Sequence, residues 1–469
     1  MSRNDIDIKK PPIWLYIIVV FITQLDGGAV STLLPSITNT FNLSSLSSSW
    51  VAGIYTLGLI IGTPITSNLS DAHGTKPIFL GELIFWFIGC LITATSVNYP
   101  VMLLGRFIQA IGDSGIIVLS MNVLLRASKK NKQGRRVSLV GVVAGLSAVI
   151  GPIIAGLSLA KNSNWRIFYY ILLPVLLILF LLTWHFLGNI KAKKTWETDY
   201  LGLSSFTISL MTLMLAITFC QYFKRYWGLI LILIIICIIS GIIFNRVEKR
   251  LPEGKMPFLP LNLFRLRTYS LILLLGTLGG MLFSLFIYIP KYVHAIFGLP
   301  LPLSGMVLVG TGLGSVIGSW IGGILVDKFG NKLALTFASS MIGIMGIIIS
   351  FTLTNLTNFV ILSFLLGIGL GSLMSAPLQV IAGRLAGPEE HMQAIGGVSA
   401  TKKIGTTVAP LLFASAIQIG ARQGVVTLTS FRNMFILVII ISIVCVATTS
   451  SISFKNIKNK KGENKSNDK

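Results

Sequence analysis

Long apolar runs separated by short polar breaks fill this chain of 469 residues. Fourteen of them lie at roughly 13–35, 46–66, 78–97, 101–124, 138–159, 167–187, 200–220, 227–245, 269–290, 303–325, 333–352, 358–381, 396–418 and 432–453. A bilayer core about 30 Å thick needs roughly 20 apolar helical residues per crossing, so each run is long enough to span. Lipid offers no partner for backbone polar groups, which leaves helices and closed barrels as the spanning structures, and these continuous runs lack a barrel strand's alternation. An all-α integral membrane protein with fourteen spans is the expectation. Composition excludes a soluble domain: 53% of residues are hydrophobic and 11% charged, too few to solvate a surface.

The net charge of +23 would point to nucleic acid in a soluble protein. Here its distribution points to topology. An even number of spans puts both ends on one side, and with a cytoplasmic N-terminus most Lys and Arg fall on inner loops. Arg126, Lys129, Lys130, Lys132, Arg135 and Arg136 crowd the loop after the fourth run, whereas the outer loop 36–49 carries no Lys or Arg. Both termini are therefore expected in the cytoplasm. The first run contains Asp26 and no small-residue cleavage site follows it, so it reads as a span and not a cleaved leader. Cys90, Cys220, Cys237 and Cys445 lie within apolar runs without C-x-x-C spacing, which gives no metal site or disulfide framework. His73, His185, His294 and His391 fall at run ends or in loops.

A repeat divides the chain. Asp71, Gly74 and Lys76 after the second run, and Asp327, Gly330 and Lys332 after the tenth, both spell D-x-x-G-x-K on the expected inner side. Two homologous six-helix halves, 13–190 and 251–454, with two added helices at 191–250 between them, account for this spacing. Residues 1–12 and the basic segment 455–469 flank them, the latter suited to anionic lipid headgroups. An Asp beside the start of the next helix is favoured by the helix dipole and nearby cations.

Three acidic residues lie inside the runs: Asp26, Glu82 and Asp113. Intramembrane carboxylates are costly and mark ion or substrate pathways. Asp26 lies twelve residues from Trp14 and Asp113 twelve from Val101, each about 18 Å deep from opposite faces. Arg106, two helical turns before Asp113, then lies near the depth of Asp26, and an Asp26–Arg106 pair is expected. Glu82 sits nearer the inner end of its run, where a link to the Asp71 turn is expected. Lys402 and Lys403 add intramembrane cations whose partners the sequence does not name.

These residues fall in recognisable motifs. Leu25-Asp26-Gly27-Gly28 leading to Leu34-Pro35, Trp50 with Tyr55, the Ser67–Lys76 turn, and Gly105-Arg106-Phe107-Ile108-Gln109 stand in the first four runs. Gly145 precedes Gly151-Pro152-Ile153-Ile154-Ala155-Gly156 in the fifth, and Trp165-Arg166 precede Pro174. Asp199-Tyr200-Leu201-Gly202, Pro257-Phe258, Leu263-Phe264-Arg265, the Gly367, Gly369, Gly371 series and Lys402-Lys403-Ile404-Gly405 complete the set. Together they resemble the drug:proton antiporter branch of the major facilitator superfamily, with fourteen transmembrane helices, over residues 14–452. The departures are Gly28, Ser67, Thr75, Ala155, Leu172 and the second lysine, Lys403.

The resemblance implies a monomeric bacterial cell-membrane exporter that works by alternating access, without cofactor, on the proton gradient. Its substrates would be hydrophobic, often cationic, drugs or dyes. Asp26, Asp113 and Arg106 would handle protons and substrate; Asp71, Gly74, Lys76, Asp327, Gly330 and Lys332, with Glu82, would form a conformational latch; Gly145, Gly151, Pro152 and Gly156 would form a hinge. An endogenous amphiphile or metabolite is the alternative cargo. A lipid-modifying membrane enzyme is the rival class, and no D-D-x-x-D, H-x-x-x-x-D or G-x-S-x-G constellation supports it. No G-x-x-x-x-G-K-[ST] loop offers direct ATP drive.

Overall fold

The computed structural model describes residues 12–452 apart from 44, 130–131, 163, 189–196, 199, 221–222, 251–254, 257–262, 264–265, 300, 353–354, 387–390 and 421–427. The basic segment 455–469, residues 1–11, Asp199, Pro257-Phe258 and Phe264-Arg265 thus lie outside the described residues.

The chain is helical throughout the apolar runs. In order come α1 (Ile13–Phe41), α2 (Ser45–His73), α3 (Thr75–Thr95), α4 (Tyr99–Asp113), α5 (Ile116–Arg126), α6 (Gln133–Asn162), α7 (Arg166–Phe186), α8 (Tyr200–Phe219) and α9 (Phe223–Lys249). There follow α10 (Arg267–Phe283), α11 (Leu285–Phe297), α12 (Leu301–Lys328), α13 (Asn331–Thr352), α14 (Leu356–Met374), α15 (Ala376–Leu385), α16 (His391–Gly420) and α17 (Leu428–Ser451). A two-residue parallel pair, β1 (Glu197–Thr198) with β2 (Lys255–Met256), closes the α8–α9 hairpin at its base.

Among the described residues, twelve spans are long and apolar enough to cross a membrane, against the fourteen expected. Both remaining runs are helical. Within α8 only the shorter stretch Ser204–Leu213 qualifies. The middle of α16 is rich in Gly, Ser and Thr and holds Lys402 and Lys403, which lowers its hydropathy. Residues of α9 such as Leu231, Ile232, Ile235, Ile238 and Ile242 stay exposed, as befits a lipid-facing surface.

Three spans expected as single helices are interrupted. The span 99–126 breaks between α4 and α5 at Ser114-Gly115, 267–297 breaks at Ser284, and 356–385 breaks at Ser375, whose ψ is -119°. Small polar residues tolerate such breaks because their short side chains and neighbouring helices take up the freed backbone groups.

The chain divides into two compact units: residues 1–127, 147–260 and 395–400, and residues 128–146, 261–394 and 401–469. In the first unit, Gly89, Gly105 and Gly112 bring α3 and α4 together. A Cβ on Gly105 would meet Thr93 Oγ1 at 2.6 Å, and one on Gly112 would run into the Trp86 backbone. In the second, Gly314 and Gly318 of α12 interlock with Gly367 and Gly371 of α14, each glycine facing backbone atoms of the opposing helix. Two four-residue repeats of glycine on facing helices are the small-residue interface of membrane packing.

Candidate functional site

Asp26 on α1 and Arg106 on α4 meet inside the first unit. Arg106 Nη1 lies 2.5 Å from Asp26 Oδ2, and both residues are buried. Arg106 Nη1 also donates to Gln109 Oε1 at 2.8 Å and to Tyr169 Oη at 3.3 Å. Its guanidinium lies 4.3 Å from the centroid of the Tyr55 ring. The planar, delocalised cation suits this combination of in-plane bonds and ring contact, where a lysine would offer only a point charge. Gln109 in turn donates to Cys90 Sγ at 3.1 Å, tying the network to α3.

Asp113 ends α4 two turns further on. Gln24 Nε2 donates to both of its carboxylate oxygens at 3.0 Å, and Tyr55 Oη donates to Oδ2 at 3.0 Å. Tyr55 therefore bridges the two acidic positions, its ring against Arg106 and its hydroxyl on Asp113. Gln24 escaped the sequence reading, because a neutral amide in an apolar run costs far less than a charge and so marks a site less sharply. Tyr55 stood there only as a motif residue.

Glu82 is placed differently from expectation. It faces the α4–α5 break and not the Asp71 turn. Gly115 N donates to Glu82 Oε2 at 3.0 Å, Ser114 Oγ to Oε1 at 3.4 Å, and Thr66 Oγ1 bonds the same carboxylate. The seven-residue offset from Thr75 turns the side chain inward at about 10 Å along α3, where the interrupted helix presents an orphan N–H.

The two D-x-x-G-x-K turns share a backbone and differ in partners. Gly74 and Gly330 both have positive φ, 95° and 88°, which a Cβ would disfavour. Asp71 lies 3.8 Å from Arg126 Nη2, and Lys76 Nζ donates to the Trp184 carbonyl at 2.8 Å. Asp327 instead accepts from the backbone N–H groups of Gly134 (2.7 Å) and Arg135 (2.9 Å), capping the start of α6. Arg384 of α15 donates to Gln133 beside that cap at 3.1 and 3.2 Å. Lys332 is exposed.

The glycines of α6 have separate surroundings. In the second unit, a Cβ on Gly145 would meet Val316 Cγ2 at 3.0 Å. In the first, Gly151 fits against the backbone of Leu25 to Ala29, while Gly156 has open space. Pro152 lies within α6. Lys402 is buried in the second unit, donating from Nζ to the Met374 carbonyl at 2.7 Å and to Gln379 Oε1 at 3.1 Å. It thus supplies a donor to the carbonyl beside the Ser375 break, as Glu82 supplies an acceptor at the Ser114-Gly115 break. Among the described residues no group of three His, Cys, Asp or Glu could hold a metal ion.

A buried ion pair beside a hydrogen-bonded carboxylate, on broken and glycine-packed apolar helices, suits a solute carrier. The family profile of the Major Facilitator Superfamily matches residues 16–358 and 305–468. The chain belongs to this superfamily. Within it, the chain is 33% identical over 424 residues to the "Uncharacterized MFS-type transporter YfiU" of Bacillus subtilis (strain 168), covering 88% of this chain and 81% of the relative. It is 29% identical over 334 residues to "Multidrug resistance protein 3" of the same organism. That match covers 70% of this chain and 64% of the relative, so the chain spans less than two thirds of that protein's length.

The solved structure of the human organic anion transporter MFSD10 (TETRAN) matches with a TM-score of 0.64 at 15% identity, covering 92% of this chain and 100% of the other. At that identity the likeness shows the superfamily fold. The protein is accordingly a multi-pass membrane transporter of the superfamily, a transporter rather than an enzyme.

Proposed function

We propose that the protein is a proton-coupled antiporter that expels hydrophobic, often cationic, small molecules across the bacterial cell membrane by alternating access. The observation that carries this reading is Asp113, a buried carboxylate that accepts from Gln24 and from Tyr55, the latter also lying against Arg106 of the Asp26–Arg106 pair. A coupling group must exchange a proton for substrate, and an intramembrane carboxylate that accepts hydrogen bonds from Gln24 and Tyr55 is placed to do so. Arg106 keeps Asp26 charge-balanced beside it. The name of Multidrug resistance protein 3 supports the substrate class.

In this reading the chain has fourteen spans, two six-helix halves at 13–190 and 251–454 with two inserted helices at 191–250, and cytoplasmic termini. It works as a monomer, with the proton gradient as its energy source and no cofactor. The Asp71 and Asp327 turns are its latches and the Gly145–Gly156 stretch its hinge.

The test is ethidium transport in inverted vesicles energised by a pH gradient, comparing wild type with Asp26→Asn and Asp113→Asn. Loss of substrate-linked proton movement in Asp113→Asn is the expected result. Absence of gradient-dependent transport for every cationic dye tried would replace this cargo with an endogenous amphiphile.

A further inference from the structure

We propose that Glu82 is a proton-relay residue on the cytoplasmic side of Asp113; the assignment rests on the antiport reading above and deepens it. Asp113, Ser114 and Gly115 are consecutive residues of the α4–α5 break, and Glu82 is bound by the second and third of them. Both carboxylates therefore answer to one interruption in one span. A helix end at this point frees the Gly115 N–H, and the carboxylate reaching it from α3 takes the place that an N-cap side chain fills elsewhere.

The glycines show that the approach is tight on every side. A Cβ on Gly115 would strike Thr66 and come within 3.0 Å of Glu82 Oε1, and one on Gly62 would strike Ser114. Three helices thus converge on this carboxylate, 6% exposed, in a place where a neutral side chain would be the cheaper filler.

A path of hydroxyls leads on from it. Thr63, Thr66 and Ser70 occupy one face of α2 at helical spacing, and all three are buried. Thr63 Oγ1 donates to the Ser114 carbonyl at 3.0 Å, and Thr66 Oγ1 lies 3.3 Å from Ser114 Oγ as well as bonding Glu82. Ser70 Oγ, one turn towards the end of α2, has no hydrogen-bond partner among the described residues. Successive positions on such a face are about 6 Å apart, a gap that one bridging water closes. His73 then ends the helix.

Of the titratable groups on the elements packed around Glu82, Asp113 from α4 acts on it electrostatically, while Asp71 and His73 lie at the end of α2 and Lys76 at the start of α3. Arg126 closes α5. The proton leaves the Asp113 carboxyl, passes the Ser114 hydroxyl and is taken by the Glu82 carboxylate, leaving Asp113 ionised. Glu82 then releases it past Thr66 and Ser70 to water at the inner face and returns to its carboxylate.

The test uses the full-length protein in proteoliposomes with ethidium as substrate and a pH-sensitive dye inside. Glu82→Gln keeps an acceptor for Gly115 N and turns an amide donor towards the Thr66 hydroxyl, but cannot carry the proton. It is expected to retain gradient-free ethidium exchange and to lose proton-driven accumulation by about tenfold or more, with Glu82→Asp restoring part of it.

Proton flux in Glu82→Gln equal to that of wild type would overturn the relay and leave Glu82 a structural cap. If Glu82→Gln does not assemble, Thr66→Val and Ser70→Ala, which leave the carboxylate on Gly115, are expected to slow coupled proton movement while sparing exchange. Unchanged coupling in both would again overturn it. A wild-type protein that exchanges ethidium without moving protons would sink the antiport reading itself, an outcome distinct from either.

Discussion

Arg106 binds the interior of the first unit together, touching Asp26, Gln109, Tyr169 and the face of Tyr55. Removing one member of a buried pair leaves the other charge uncompensated, at about 3–5 kcal/mol, whereas removing both leaves none. Arg106→Leu alone should therefore lower the thermal stability of detergent-purified protein more than the double variant Asp26→Leu with Arg106→Leu; equal losses would remove the pair from the stability argument. Tyr55→Phe keeps the ring under Arg106 and removes the hydroxyl from Asp113. It should cost about 1 kcal/mol, and should reduce coupled efflux with little change in folded yield.

The ion pair was legible in the sequence from depth alone, because helical rise fixes where Asp26 and Arg106 lie in the bilayer. The partners of Asp113 were not. Gln24 and Tyr55 become its ligands only through the crossing of α1 and α2 over α4, which no spacing within one helix encodes.

At the scale of elements, the apolar runs predicted every helix, and the interruptions are what they hid. A break at Ser114-Gly115 or Ser375 leaves hydropathy unchanged, and the side chain that meets the freed backbone group stands on another helix, Glu82 in one case and Lys402 in the other. The latch turns show the same limit. Two copies of D-x-x-G-x-K predicted two alike turns, and the φ values of Gly74 and Gly330 agree, yet Asp71 faces a guanidinium and Asp327 a helix N-terminus. Asp327→Ala should thus behave as the loss of a helix cap, about 1 kcal/mol in thermal unfolding, while Lys332→Ala, exposed beside it, should be neutral.

Glycine packing yields a sharper contrast. A methyl group on Gly371 would strike the Ser315 carbonyl, so Gly371→Ala should destabilise by about 1–3 kcal/mol or more, whereas Gly156→Ala meets nothing within 4 Å and should be silent. Comparable losses in the two would show that the α12–α14 contact is looser than its geometry.

At the scale of the whole molecule, the number of crossings decides on which side each loop functions, and the chain carries its own reporter for it. Cys220, at the end of α8, is exposed; Cys90 and Cys445 are buried and Cys237 is half-buried on the lipid-embedded α9. In the proposed orientation, with the N-terminal side of α1 facing the cytoplasm, seven crossings bring Cys220 to the outer face. That inference depends on α8 spanning, although only its Ser204–Leu213 stretch stands out as apolar among the described residues. The α8–α9 hairpin is consistent with two crossings: Ser209 Oγ bonds the Cys237 carbonyl at 3.1 Å and Phe206 meets Phe244 at 5.2 Å between ring centroids, so the two helices run side by side over this length. A membrane-impermeant maleimide added to intact cells should label the wild-type protein and fail to label Cys220→Ser. Labelling that appears only after the inner face is opened would place Cys220 inside and, in the same orientation, mean that α8 does not cross.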